Sequence, residues 1–171
     1  MVYIKKILFL ALSGALLFTG CSHKEAVQKN DGGALSEEAV VVTEVSLSEV
    51  KDEIKKTIGV TDALDFNDNA VEMLYSIKKE DVKQFAGFSV AQGTFPHEIV
   101  MIEAANEEAG QRIEKAFEAK IAAFAEQSKN YDAENYALAK KCKVQKNGNY
   151  FAMFLSPDYE DILGIYEKHV K

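Results

Sequence analysis

The stretch HEIVM at residues 97–101 comes closer than any other in this chain to a zinc-protease motif. That chemistry needs two histidines one helical turn apart, with a glutamate between them that acts as the base. Met101 stands where the second histidine is required, and the stretch is typical of a β-strand, which separates positions i and i+4. We therefore predict no zinc site here and interpret His97 as a turn residue beside Pro96.

Residues 65–72, DFNDNAVE, carry oxygen-bearing side chains at positions 1, 3 and 5 of a possible calcium loop: Asp65, Asn67 and Asn69. Such a loop also needs glycine at position 6 and a bidentate glutamate at position 12. Ala70 and Ser76 occupy those two positions. A turn closed by Asp and Asn side chains on their own backbone is the simpler interpretation. A weak calcium site is the alternative.

Cys21 follows a short apolar run, residues 7–17, which is preceded by Lys5 and Lys6. A helix that crosses a bilayer needs roughly 20 apolar residues, so this run is typical of a removable signal peptide. The residues before Cys21, Phe18-Thr19-Gly20, resemble a bacterial lipobox, in which the cysteine thiol receives a diacylglycerol. The sequence thus predicts a signal peptide over residues 1–20 and lipidation at Cys21. A free cysteine that ends an ordinary signal is the alternative.

The second cysteine, Cys142, is left without a disulfide partner if Cys21 is lipidated. Neighbouring lysines would favour a reactive thiolate, but no base can be assigned, so a small core residue on a strand is the favoured interpretation. The chain contains no G-x-S-x-G elbow, P-loop or G-x-G-x-x-G fingerprint. These patterns predict no catalytic residue and no cofactor, and they favour a role that is not enzymatic.

Aromatic residues are the remaining candidates for a binding site. The chain has no tryptophan, so most of its Phe and Tyr side chains are needed for the core. Tyr131, Tyr136 and Tyr150 are expected to be exposed and to contact a partner.

The charge of the chain restricts its partners. Without residues 1–20 there remain 18 basic and 27 acidic residues, a formal charge of −9, and Arg112 is the only arginine. Nucleic-acid recognition depends on clustered Lys and Arg, so it is disfavoured. Repulsion also opposes binding to anionic lipid, so attachment to the membrane must come from the acyl chains at Cys21.

Residues 21–39 are polar, contain Gly32-Gly33 and are interpreted as a flexible tether, which leaves residues 40–171 as one globular domain. AVVVTEV at 39–45 suggests a short strand. A helix is predicted from the cap Ser46 to Gly59. Residues 71–77 fit a strand or a helical turn, and EDVKQFAG at 80–87 suggests a short helix.

Two hairpins are predicted in the rest of the chain. GFSVAQGT and HEIVMIEAA form one around Phe95-Pro96, and KKCKVQK and NYFAMFLS form the other at Asn147-Gly148. A long helix capped by Asn106 separates them, and a last helix starts at Ser156-Pro157. The predicted fold class is α+β: an antiparallel sheet of four to five strands, packed on one face by the long central helix and the C-terminal helix.

Several segments together resemble a known family: the lipobox and tether, MLYSI…EDV, HEIVMIEA before a long helix, and GNYFAMFLSPD before a terminal helix. They are similar to the bacterial lipoproteins catalogued as domain of unknown function 4358. The similarity extends from about Ser46 to the C-terminus. It implies a lipid anchor and a fold, but no reaction, substrate or site residue.

The sequence thus leads to one main hypothesis and two alternatives. The main hypothesis is a lipoprotein on the outer face of the cytoplasmic membrane, facing the extracytoplasmic space, that binds an envelope protein or polymer without catalysis. The alternatives are an envelope enzyme or glycan-modification accessory with an unrecognised site, and a weak calcium-dependent module.

Overall fold

The computed structural model describes residues 44–90 and 96–171. Five strands and five α-helices, with one short 3₁₀ turn, make up this part of the chain. In chain order they are α1 Leu47–Thr57, β1 Leu64–Asp65, α2 Ala70–Tyr75, the 3₁₀ turn Lys79–Asp81, β2 Val82–Val90, β3 His97–Ala104, α3 Glu107–Ser128, α4 Ala133–Lys141, β4 Gln145–Asn147, β5 Tyr150–Leu155 and α5 Tyr159–His169.

The strands form one antiparallel sheet in the order β1-β2-β3-β5-β4. The pairing of β2 with β3 and of β4 with β5 confirms both predicted hairpins. The two hairpins join through β3 and β5, where Val100 pairs with Met153. The α+β fold class, the long central helix and the C-terminal helix are therefore confirmed.

Both faces of the sheet are covered, so the prediction of a single covered face is wrong. Val100 and Met153 point towards α2 and α3 in one hydrophobic cluster. Met101 and Phe154, which alternate with them along the same strands, point towards α1 and α5 in a second cluster. Residues of β3 and β5 are consequently buried on both sides, and the polar alternation expected of a half-solvated strand is missing.

The caps predicted for α1 and α3 are confirmed. The Ser46 side chain accepts a hydrogen bond from the Glu49 N–H, and the Asn106 side chain accepts one from the Ala109 N–H at 2.9 Å. Gly59 follows α1 with a φ of +69°, a left-handed conformation that glycine adopts without strain. The side-chain acceptors satisfy N–H groups that a helix leaves unpaired in its first turn.

Four local predictions are corrected. Residues 80–87 are not a helix but the end of the 3₁₀ turn and most of β2, because pairing with β3 along the strand outweighs the local pattern. Residues 140–146 are not one strand, since the first two end α4 and only Gln145 and Lys146 belong to β4. Residues 44–46 are not strand, and α5 begins at Tyr159, two residues after Pro157.

Other predictions fall outside the described residues. These are the signal peptide over 1–20, the lipidation of Cys21, the tether over 21–39, the first part of the strand at 39–45, and most of the turn around Phe95. The segment that the sequence left open, residues 71–77, contains most of α2. Among the helices within 44–90 and 96–171, none combines the length and apolar composition that a bilayer crossing requires.

Helix α3 runs along the sheet from the end of β3 towards its beginning. Near its start, a Cβ placed on Gly110 would lie 3.7 Å from the Cβ of Ala104, the last residue of β3. Ten residues later, Lys120 Nζ is 3.1 Å from Glu98 Oε1, at the beginning of β3. The C-terminal part of α3 therefore lies towards the end of the sheet where β3 begins.

The first described residue lies at the opposite end of the sheet. Lys83 Nζ bonds both Glu44 Oε1 at 3.0 Å and Glu103 Oε1 at 2.7 Å. Glu103 is the next-to-last residue of β3. The connection between α3 and α4 and the point where the chain joins the domain are thus at opposite ends of β3.

Candidate functional site

The connection from α3 to α4, with the residues that flank it, forms a surface that we call the tip, residues 124–135. It contains a depression of about 510 Å³. Tyr131 is 92% exposed, the most exposed large apolar side chain that the structure describes. The depression is lined by Phe124, Glu126, Gln127, Ser128, Tyr131, Asp132 and Asn135.

Short-range hydrogen bonds hold the tip in place. The Ser128 carbonyl accepts the N–H groups of Tyr131 at 3.1 Å and Asp132 at 2.9 Å, which closes the turn. One carboxylate oxygen of Asp132 then caps α4 by accepting the Asn135 N–H at 2.9 Å, and the other accepts Asn135 Nδ2 at 2.7 Å. The Tyr131 ring is therefore presented to solvent by an ordered backbone.

Asn135 carries an unsatisfied atom in this region. Its side-chain oxygen is buried and has no hydrogen-bond partner among the described residues. A buried acceptor without a partner costs roughly 1–3 kcal/mol. The tip thus combines an exposed aromatic ring with an unpaired amide oxygen.

The structure does not bring the three predicted tyrosines together. Tyr131 is at the tip, whereas Tyr136 is half-buried in α4 and Tyr150 is half-buried at the start of β5. Tyr150 packs against the cluster under α1 and α5, where burial and the nearby Glu103 carboxylate raise its pKa. The expectation of exposure therefore applies to Tyr131 alone.

Ser156, His97 and Asp158 lie together, and they are the residue types of a serine hydrolase. In that mechanism one ring nitrogen of the histidine faces the serine and the other faces the aspartate. Here the same nitrogen, His97 Nδ1, is 2.9 Å from Ser156 Oγ and 3.9 Å from Asp158 Oδ2. Ser156 is fully buried, and its Oγ accepts the Asp158 N–H at 3.1 Å. The arrangement holds the start of α5 and does not activate a nucleophile.

The stretch HEIVM, which was compared with a zinc-protease motif, lies in strand β3 and not in a helix. His97 and Met101 lie on β3, and Met101 is fully buried against the α1 and α5 side of the sheet. A strand places these two side chains about 13 Å apart along its axis, too far for one zinc ion. His97 is the first residue of β3, directly after Pro96, and not a turn residue.

A cluster that the sequence did not predict joins Tyr75, Glu98 and Lys120. The Tyr75 hydroxyl donates to Glu98 Oε1 at 2.8 Å, and Lys120 Nζ is 3.1 Å from the same oxygen and 5.4 Å from the centre of the Tyr75 ring. Burial and the Glu98 charge raise the pKa of Tyr75, so it stays a hydrogen-bond donor. The cluster ties α2, α3 and β3 together. The only sign of it in the sequence is an acidic residue inside an apolar strand.

Cys142 lies at the C-terminal cap of α4, beside a groove of about 490 Å³ between α3 and the chain that leads to β4. It is 7% exposed, and burial raises its thiol pKa to about 11. A thiol with that pKa is protonated at neutral pH and is a poor nucleophile. This agrees with its interpretation as a core residue, although it is not on a strand.

Asp65, the first residue of the possible calcium loop, is paired with two lysines. Lys51 and Lys55 bind the two oxygens of Asp65 at 2.9 and 3.0 Å. Burial opposes ionisation of Asp65, but the two ammonium groups outweigh it and hold its pKa below the usual value.

The two asparagines of this loop also have partners. Asn67 Oδ1 accepts the Asn69 N–H at 3.0 Å, as predicted for a self-closed turn, and Asn69 Oδ1 accepts Lys79 Nζ at 2.7 Å. No group of three or more His, Cys, Asp or Glu ligands occurs within residues 44–90 and 96–171. Calcium binding stays the alternative hypothesis, and it would require Lys51, Lys55 and Lys79 to move away.

The comparisons with known proteins give one result. A family model with the description Domain of unknown function (DUF4358) matches residues 56–156, which include all five strands and the tip. The segments MLYSI…EDV, HEIVMIEA and GNYFAMFLSPD resemble this same family. No curated protein and no solved structure gives a match.

Proposed function

The chain belongs to the family described as Domain of unknown function (DUF4358), and we propose that it is a lipid-anchored lipoprotein that binds an envelope component without catalysing a reaction. In this proposal Cys21 carries the acyl chains and the domain faces the extracytoplasmic space at the outer face of the cytoplasmic membrane. The support for the anchor is the sequence before Cys21. Two or three acyl chains give durable membrane attachment, whereas one chain gives only reversible binding.

One observation carries the proposed binding role: Tyr131 is 92% exposed on an ordered tip, at the end of β3 opposite to Glu44. Burying a tyrosine ring in a contact is favourable, and exposed tyrosines are frequent anchors of binding surfaces. Glu44, the first described residue, and the tip thus lie towards opposite ends of β3.

Charge supports the choice of partner class. The only arginine of the chain, Arg112, is paired with Asp81, and the proposed mature chain carries a formal charge of −9. Nucleic acid is therefore a poor partner. The membrane contact is assigned to the acyl chains and not to the protein surface.

The anchor is tested by replacing its cysteine. Cells that express Cys21→Ala should incorporate no labelled palmitate into this protein, and the protein should leave the membrane fraction or keep its leader. Cys142→Ala, which changes the other cysteine, is the matched control and should be labelled and membrane-bound like the wild type. Equal labelling of the Cys21→Ala protein would exclude the proposed anchor.

The binding role is tested by placing a photo-crosslinking residue at position 131 in intact cells. We expect reproducible adducts from position 131 that are absent when the same residue replaces Met73, which is 79% exposed on α2. Identical adducts from both positions, or none from position 131, would contradict a contact surface at the tip.

A further inference from the structure

We infer that the depression at the tip binds a sugar ring of an uncharged envelope glycan, with Tyr131 as the stacking surface. This inference rests on the proposed function, since it names the ligand of the same surface. It follows from three properties of the tip: an isolated exposed ring, a lining rich in hydroxyl-binding groups, and an acidic character that disfavours anions.

The Tyr131 ring is isolated from other exposed apolar side chains. The other large apolar residues exposed in the described part of the chain are Leu64 on β1 and Met73 and Leu74 on α2. Protein interfaces generally have a desolvated apolar core with a polar rim, and one ring among polar side chains does not supply such a core. A sugar ring needs a smaller apolar surface than a protein partner, because one of its C–H faces can cover a single aromatic ring.

The lining of the depression suits hydroxyl groups. Glu126 and Asp132 carry carboxylate oxygens that accept hydrogen bonds from sugar hydroxyls, and the Gln127 amide offers both donors and an acceptor. The side-chain oxygen of Asn135, which is buried in this lining, has no hydrogen-bond partner in the described part of the chain. A volume of about 510 Å³ is within the usual range of small-molecule sites, roughly 300–1,000 Å³.

Charge at the depression excludes the main anionic alternative. Two of its lining residues, Glu126 and Asp132, are acidic, and none is Lys or Arg. The nearby Lys129 places its Nζ 3.7 Å from Glu126, and the Asp132 side chain already caps the start of α4. The carboxylates of Glu126 and Asp132 would repel a phosphate, and the Asn135 N–H at the start of α4 is already bonded to Asp132. A polyphosphate polymer is therefore disfavoured.

The experiment titrates the full chain, purified in detergent micelles, with the tetramer of N-acetylglucosamine and with cellotetraose, followed by saturation-transfer NMR. Weak binding, with a Kd of order 1 mM, is expected for at least one of these neutral sugars. Tyr131→Ala should weaken it about tenfold, the size expected for one lost stacking contact, whereas Tyr131→Phe should keep it. Met73→Ala is the control and should bind like the wild type.

Three results would overturn the sugar assignment. They are absence of binding by either sugar at millimolar concentration, unchanged binding after Tyr131→Ala, and preferential binding of polyglycerol phosphate. If neither sugar binds but a photo-crosslinker at position 131 labels an envelope protein, the sugar assignment fails while the proposed binding role stands. Failure of the binding role itself would appear as an absence of specific adducts at position 131.

Discussion

Arg112 forms a two-pronged ion pair with Asp81: its Nε and Nη2 atoms lie 2.8 and 2.6 Å from the two carboxylate oxygens. Asp81 is 3% exposed, and its backbone carbonyl accepts the Ala105 N–H at 2.9 Å. The single arginine of the chain therefore fastens the first turns of α3 to the 3₁₀ turn before β2.

This pair should make stability depend on acid pH. The hydrogen bonds from Arg112 hold the pKa of Asp81 below its ordinary value, despite the opposing effect of burial. The stabilisation is present above the unfolded pKa, about 3.9, and is lost as the pH falls through the lower folded pKa. Asp81→Asn should thus be less stable than the wild type at pH 7, and the difference should shrink below about pH 4.

Urea denaturation from pH 7 to pH 2.5 measures this difference. Asp62→Asn, which changes an exposed aspartate in a loop, is the control and should leave the free energy of unfolding nearly unchanged. A gap between the wild type and Asp81→Asn that stays constant with pH would show that the ion pair is not its origin.

Gly110 of α3 marks a close approach between helix and sheet. A Cβ at this position would lie 2.7 and 2.8 Å from two ring carbons of Phe151, which is buried. Gly110→Ala should lower the free energy of unfolding by roughly 1–3 kcal/mol, because the buried Phe151 ring would have to shift within the packed core.

Gly164 of α5 is the matched control, since a Cβ there meets no atom within 4 Å. Alanine is favoured over glycine inside a helix, so Gly164→Ala should stabilise the domain by up to about 1 kcal/mol. Thermal or urea unfolding of both variants gives the comparison. Similar stabilisation by both substitutions would mean that Phe151 does not restrict position 110.

Cys142 should react slowly while the domain is folded. Burial raises its thiol pKa to about 11, so the thiolate that attacks iodoacetamide is scarce at pH 8. We expect alkylation on the order of 100-fold slower in the native protein than in urea, where the pKa returns to about 8.5. Mass spectrometry of the peptide that contains Cys142 follows the reaction. Equal rates in the two conditions would contradict the buried placement.

The hydroxyl of Tyr75 should contribute measurably to stability. Tyr75→Phe removes the 2.8 Å hydrogen bond to Glu98 but leaves the ring in place and Lys120 beside the carboxylate. The expected loss is about 1 kcal/mol of unfolding free energy. Tyr131→Phe removes the same group from an exposed ring and should change stability by less than about 0.5 kcal/mol. If the two variants unfold alike, the Tyr75 hydrogen bond adds nothing to stability.

Local signals in the sequence were read correctly where the interacting groups are close along the chain. The caps at Ser46 and Asn106 join side chains to N–H groups three residues away. The second hairpin forms as predicted, but its two loop residues are Gly148-Asn149, one position later than predicted, because Asn147 pairs with Tyr150. Gly148, with a φ of +56°, supplies the positive φ that the first position of such a loop needs. Such features were predictable because each depends on a few consecutive residues.

Helix α4 was not predicted from the sequence, and most of strand β2 was predicted as a helix. In α4 only Leu138 and Ala139 are buried, so the sequence carries almost no apolar stripe, although the helix is capped by Asp132. In β2 the local pattern suggested a helix, but β3 supplies a pairing partner along the strand. A single sequence does not show that β2 will pair with β3.

The sequence predicted one contact surface for Tyr131, Tyr136 and Tyr150, but only Tyr131 lies exposed at the tip. Exposure depends on which helix covers each face of the sheet, and Tyr150 is covered by the α1 and α5 side. The residues of the chain alone determined the caps, the hairpin turns, the long helix and the overall charge, since these depend on composition and neighbouring groups. Only the tertiary structure decided the covering of both sheet faces, the pairing of Arg112 with Asp81 and the partial burial of Tyr150. These features depend on contacts between residues far apart in the chain, and such contacts leave no local pattern.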